Sequence, residues 1–148
     1  MTKMKINTGD WIVVCDGRKA LILENLGDRM FPNLHTKEVR EHPDASTHAQ
    51  GSDRPGSVHP SMGGARSSIE QTDWHDESER EFLKALADRL DLAVTTGETT
   101  ALAIVASPRA LGMIRPDYSD AVRNAVHFEL GKDLVMMPVH QIEKQLLA

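Results

Sequence analysis

Ser107-Pro108-Arg109 follows directly on the apolar run Leu102-Ala103-Ile104-Val105-Ala106, the order expected where a buried strand runs into a helix. Serine at the N-cap, proline at the first helical position and an arginine beside them bring together free backbone N–H groups, the positive end of a helix dipole and a guanidinium. That combination suits a phosphate or a carboxylate. An ordinary Ser-Pro helix start has the same sequence, so both readings stand. Metal-dependent nuclease chemistry would need several carboxylates converging at neighbouring strand and helix ends. Asp16 closes the first apolar run and Glu79 or Glu81 falls on a helical segment, but Ala106-Ser107-Pro108 offers no acid, and Asp16 has the position of a hairpin-turn residue. Of the seven histidines, His35, His42, His48 and His59 crowd one stretch and His75 follows it. No two stand at i and i+4 and none has a cysteine partner, so no metal site is expected. His75 and Glu77 begin as a deaminase signature begins, but no Pro-Cys-x-x-Cys follows. Cys15, the sole cysteine, ends a β-branched run and reads as a small buried hydrophobe rather than a nucleophile. With no Gly-x-x-x-x-Gly-Lys loop and no Gly-x-Ser-x-Gly elbow, the catalytic residues stay unassigned and no cofactor is expected.

These residues belong to a chain of 148 amino acids, 40% hydrophobic and 26% charged, which is the size and make-up of one globular domain. A formal net charge of −5 argues against a surface that grips nucleic acid all over, while leaving room for a local basic patch. Neither an apolar run after the first lysines nor a stretch of membrane-spanning length occurs, so a cytoplasmic location with no membrane partner is expected.

The elements that must position the candidates are legible from pattern. Trp11 to Cys15 and Ala20 to Leu23 flank Asp16-Gly17-Arg18, which predicts a tight hairpin. Asn25-Leu26-Gly27-Asp28 is a turn signal, and Leu34 to Glu41 predicts an edge strand. A helix is expected to open near Asp73, with Asp76, Glu77 and Glu79 complementing its dipole and Phe82, Leu83, Leu86 and Leu90 on its buried face. Leu102 to Ala106 predicts a strand buried on both faces at the centre of the fold. Helices follow from Pro108 to about Ile114 and from Asp117 to Ala125. Val126 to Leu130 alternates like a last strand, and a closing helix starts at Pro138 with Val139, Ile142 and Leu146 on one face. Met136 and Met137 read as core filling. The fold class is therefore α/β, with a mixed sheet of about five strands flanked by helices. Between hairpin and helix, from about residue 43 to residue 72, Pro, Gly, Ser and His dominate, and too little apolar surface is present to offset the ordering entropy. A long flexible loop is expected there, within a single domain spanning 1–148.

This order of elements resembles the ribonuclease H-like fold and, with a glycine-bearing loop ahead of the first long helix, the middle domain of Pelota and of eukaryotic and archaeal peptide-chain release factors. Where those release factors carry Gly-Gly-Gln, this chain has Gly63-Gly64-Ala65-Arg66. The chain also resembles the bacterial host attachment family, relatives of that domain. The resemblance rests on Trp11-Ile12-Val13-Val14 with Asp16-Gly17-Arg18-Lys19-Ala20, on His42-Pro43-Asp44, on Ala106-Ser107-Pro108-Arg109-Ala110-Leu111-Gly112, and on Glu129-Leu130-Gly131-Lys132-Asp133-Leu134 through Pro138.

The resemblance implies a translation-linked contact, to ribosome or tRNA, made through Gly63, Gly64, Arg54 and Arg66, with Ser107 and Arg109 as a further anion site. Ala65 removes the glutamine that positions water in the release factors, so a binding domain is expected rather than an enzyme, with any effect on host attachment indirect. Two alternatives are a hydrolase of tRNA-linked or phosphate esters working near Ser107 and Arg109, and an interaction module that binds a protein partner or forms a homodimer.

Overall fold

The computed structural model describes the backbone of residues 4–42 and 64–147, and the side chains of all of these except residues 64–75. Its elements run β1 (Trp11–Cys15), β2 (Lys19–Asn25), β3 (Leu34–Glu41), α1 (Gly64–Thr95), β4 (Leu102–Ala106), α2 (Pro108–Ile114), a 3-10 turn (Arg115–Asp117), α3 (Asp120–Ala125), β5 (Val126–Gly131) and α4 (Val139–Leu147). The five strands form one mixed sheet in the order β3-β2-β1-β4-β5. β1 is antiparallel to β2, parallel to β4, and in register with both, Cys15 facing Ala20 on one side and Ala106 on the other.

Strand alternation sorts the core into two layers. Trp11, Val13 and Cys15, with Ala20, Ile22, Leu102, Ile104 and Ala106, meet Phe82, Leu83, Leu86 and Leu90 of α1 and the apolar sides of α2 and α3. Ile12, Val14, Leu21, Leu23, Ala103 and Val105 face the other way, onto Ile142 and Leu146 of α4 and onto Met4 and Ile6. Every residue of β1 and β4 is buried, as two-sided coverage requires. The wholly buried Trp11 ring has Lys37 Nζ 5.5 Å and Arg89 Cζ 5.3 Å from its centroid, and its indole N–H makes no hydrogen bond among the described residues.

Three sequence expectations need correction. α1 opens at Gly64 rather than near Asp73, so the acidic residues 76–79 lie inside the helix and cap nothing. The expected loop at about 43–72 therefore ends at a helical Gly64, and its part from 43 to 63 lies outside the described residues. β4 is buried on both faces as expected, but the middle strand is β1, because the hairpin extends the sheet on one side while β4 and β5 extend it on the other. Met136 is 79% exposed rather than core; only Met137 packs against the α4 layer.

Both edges of the sheet carry register shifts, one between Ile22 and Leu23 opposite β3 and one between Leu102 and Ala103 opposite β5. On β3 the shift sits beside the charged run Lys37, Glu38, Arg40 and Glu41. A shift and a row of charges are both features that keep an edge from pairing with another chain.

At the amino end of β1, Asn25 is wholly buried and organises the β2–β3 connection. Its Nδ2 donates to the carbonyls of Asn7 at 3.1 Å and Asp28 at 3.3 Å, and its Oδ1 accepts from the backbone of Gly27 at 3.0 Å and Asn33 at 2.9 Å. Asp28 Oδ1 accepts from the N–H groups of Met30 and Phe31. Buried Thr99 ties the start of β4 to Gly9 by a 3.0 Å bond to its carbonyl.

Candidate functional site at the carboxyl ends of the central strands

The opposite end of the sheet collects the residues that the sequence singles out. Asp16 closes β1 as a turn residue, its Oδ1 accepting from the N–H groups of Arg18 and Lys19, each at 2.8 Å. Both acceptor contacts fix the hairpin, in agreement with the turn reading. Ser107 caps α2: its Oγ accepts from Ala110 N at 3.3 Å, while its own N–H donates to Cys15 O at 3.4 Å and so ties the ends of β4 and β1 together. Pro108 takes the first helical position as the sequence predicts.

Arg109 is brought to the same end, with two of its five N–H donors engaged. Nε donates to Glu79 Oε1 at 3.2 Å and Nη2 to Asp76 Oδ1. The Asp76 hydrogen bond, with the charges of Glu79 and Asp76, holds the guanidinium above its ordinary range. An anion at the start of α2 would have to compete with these two carboxylates for the one arginine. Glu79 also explains Gly17: a Cβ there would lie 2.6 Å from Glu79 Cδ, so the hairpin turn is glycine where the helix side chain crosses it. These contacts orient α1. Its later turns pack on the sheet through Phe82, Leu83, Leu86 and Leu90, with Glu79 at the hairpin, and residues 64–75 precede that packed part. Twelve residues precede Asp76 in the helix, which at the α-helical rise is about 18 Å of axis.

The remaining candidates separate. Gly64 is the first residue of α1, and Arg66 stands in its first turn. Gly63 and Arg54 lie outside the described residues, as do His48 and His59. His35 is exposed on β3, and the His42 ring lies 6.1 Å from that of Phe82. Among the described residues, no group of three or more His, Cys, Asp or Glu is arranged to hold a metal ion. Burial pushes the Cys15 thiol up to about 12, with the charges of Asp16 and Asp133 acting in the same direction, so it is no nucleophile near neutral pH. No helix among the described residues is long and apolar enough to cross a membrane.

Sequence reasoning placed Ser107 and Arg109 correctly at a strand-to-helix junction and missed what Arg109 touches. Asp76 and Glu79 stand about thirty positions earlier, and only the packing of α1 on the sheet makes them neighbours. Glu79 was legible as an acid at a helix end, but nothing in local spacing couples it to Gly17.

Residues 10–146 match the model of bacterial archaeo-eukaryotic release factor family 12, and the chain belongs to that family. No curated protein matches it. The family match carries the release-factor relationship and says nothing of host attachment.

Proposed function

We propose that this member of the bacterial archaeo-eukaryotic release factor family is a binding domain of the translation apparatus that contacts ribosomal RNA or tRNA without hydrolysing it. The observation that carries the reading is Ala65 as the second residue of α1, directly after Gly63-Gly64. In the release factors that the chain resembles, a glutamine after two glycines positions the attacking water. A methyl group has neither donor nor acceptor for that task. Gly63 and Gly64 keep close approach to a backbone feasible, and Arg54 and Arg66 are the phosphate-facing residues of the contact. The location is cytoplasmic, and any influence on host attachment is indirect, through the proteins whose synthesis is affected.

The test is a pair of assays on ribosomes carrying peptidyl-tRNA. The reading expects the protein to pellet with the ribosomes while releasing no peptide. Peptide release above background by the unaltered chain contradicts it.

The convergence of Ser107, Arg109, Asp76 and Glu79 at one end favours a second reading, a hydrolase of a tRNA-linked or phosphate ester at that end. Ester turnover that disappears in R109A supports it. Turnover unchanged in R109A removes this site from the account.

A further inference from the structure

We infer that the groove along the β5 edge is a binding site for the phosphate ester of a nucleotide, with Arg123 and Arg115 as its anion-binding residues. The groove is open to solvent and has a volume of about 520 Å³, within the range of roughly 300–1,000 Å³ in which small-molecule sites fall. It is lined by Arg115, Pro116, Tyr118, Arg123, Val126 and Glu129, contributed by the 3-10 turn, α3 and β5 and by the link between the turn and α3.

The hydrogen bonds decide what kind of ligand fits. Among the lining residues Glu129 brings the only carboxylate, and both of its oxygens are occupied. Oε1 accepts from Arg115 Nε at 3.1 Å and Nη2 at 2.8 Å, and Oε2 accepts from the Tyr118 hydroxyl at 2.9 Å. Burial and the Glu129 contact both raise the Tyr118 phenol above its ordinary range, so it stays a donor. The acid is thus consumed in holding Arg115 by one edge, and the guanidinium's remaining N–H groups belong to a side chain that is 53% exposed. Arg123 is freer still. It is 57% exposed, and its one ion-pair contact among the described residues is to Asp120, 3.9 Å away and 98% exposed, a pair that water screens almost completely.

What the groove still offers is therefore the unengaged N–H groups and positive charge of two arginines, with Pro116 and Val126 as its apolar lining. Two planar guanidiniums match the oxygens of a phosphate, and the apolar surfaces suit the flat face of a base or sugar. An uncharged ligand of the same shape would leave the arginine donors without a gain. None of these residues belongs to the proposed contact at the head of α1, so failure here leaves that reading standing, and the reverse is equally true.

Calorimetric titration of the full chain at low salt with uridine 5′-monophosphate, hexauridylate and uridine tests the assignment. Binding of at least one phosphate-bearing probe, absence of binding by uridine, and affinity at least about tenfold weaker in R123A are expected. R80A, which removes an exposed arginine of α1 that does not line the groove, should bind like the unaltered protein. Tighter binding of hexauridylate than of the mononucleotide makes the ligand part of a strand, the reverse makes it a free nucleotide, and either result supports the assignment. It is overturned if neither phosphate ester binds at millimolar concentration, if uridine binds as well as its monophosphate, or if R123A and R80A behave alike.

Discussion

The two ends of the sheet are built on opposite plans. At the amino end of β1, Asn25 makes four hydrogen bonds to backbone, and Asp10 and Thr99 are likewise buried and bonded, the Trp11 indole N–H being the buried exception. At the carboxyl end, Arg109, 57% exposed, pairs with Asp76, 40% exposed, and with the more sheltered Glu79. Buried, satisfied polar groups are costly to disturb because removing one strands its partner. Exposed pairs contribute little to stability. The amino end therefore contributes more to holding the fold than the ion pairs at the carboxyl end do.

Substitutions sharpen this contrast, beginning with the largest effect. N25A strands the backbone N–H groups of Gly27 and Asn33 and the Asp28 carbonyl in a buried turn, while the Asn7 carbonyl keeps the Asp10 N–H, and should lower unfolding free energy in urea by roughly 3 kcal/mol. A decrease like that of an ordinary surface substitution would break the comparison.

Two glycines provide the next test, since a Cβ would collide at each. At Gly27 the obstacle is backbone, the Phe31 carbonyl oxygen at 2.1 Å, whereas at Gly17 it is the movable end of the Glu79 side chain. G27A should cost about 2 kcal/mol and G17A less than about 1 kcal/mol in the same denaturation experiment. Equal costs would mean that the carboxyl end is as rigid as the amino end.

Two arginines give a smaller difference. Arg89 lies over the Trp11 ring, bonded to Glu38 and Glu98, and its side chain is 17% exposed. R89A should lower the melting temperature measurably, and R109A should not. The Glu38 side chain also titrates usefully. Its partial burial raises the pKa, but hydrogen bonds from Arg40 and Arg89 outweigh this and hold the carboxyl below its ordinary 4.5. A lowered folded value stabilises the protein above about pH 4.5, and that contribution disappears as pH falls through the folded value. E38Q should therefore lose less stability on acidification than the unaltered chain, and an identical acid profile would remove this pair from the account.

How much of this was readable beforehand follows from the range of each interaction. The hairpin, β4, the Ser107 cap and the closing helix are set by neighbours within a few residues, and their boundaries were legible within one or two positions. The start of α1 was not. Between Gly64 and Asp73 the composition favours a loop, and local propensity is a weak prior that context can override. The central place of β1 was missed because a tight hairpin specifies one neighbour and leaves the other open. At the site, Ser107 and Arg109 were identified from type and order. The Asp76 and Glu79 contacts, and the groove in which Arg115, Tyr118 and Glu129 join, depend on the packing of α1 and on the pairing of β5. Neither leaves a periodic trace in sequence.

The central claim is the proposal that the segment carrying Gly63, Gly64, Arg54 and Arg66 meets nucleic-acid phosphates. It is tested most directly by ribosome and tRNA co-sedimentation across a salt series, comparing the full chain with R54A/R66A. The account predicts binding that weakens as salt rises, with the double variant weaker throughout and its log–log salt slope shallower by about two, one for each phosphate that an arginine no longer neutralises. No binding at low salt, or identical affinity and slope for both proteins, would contradict it.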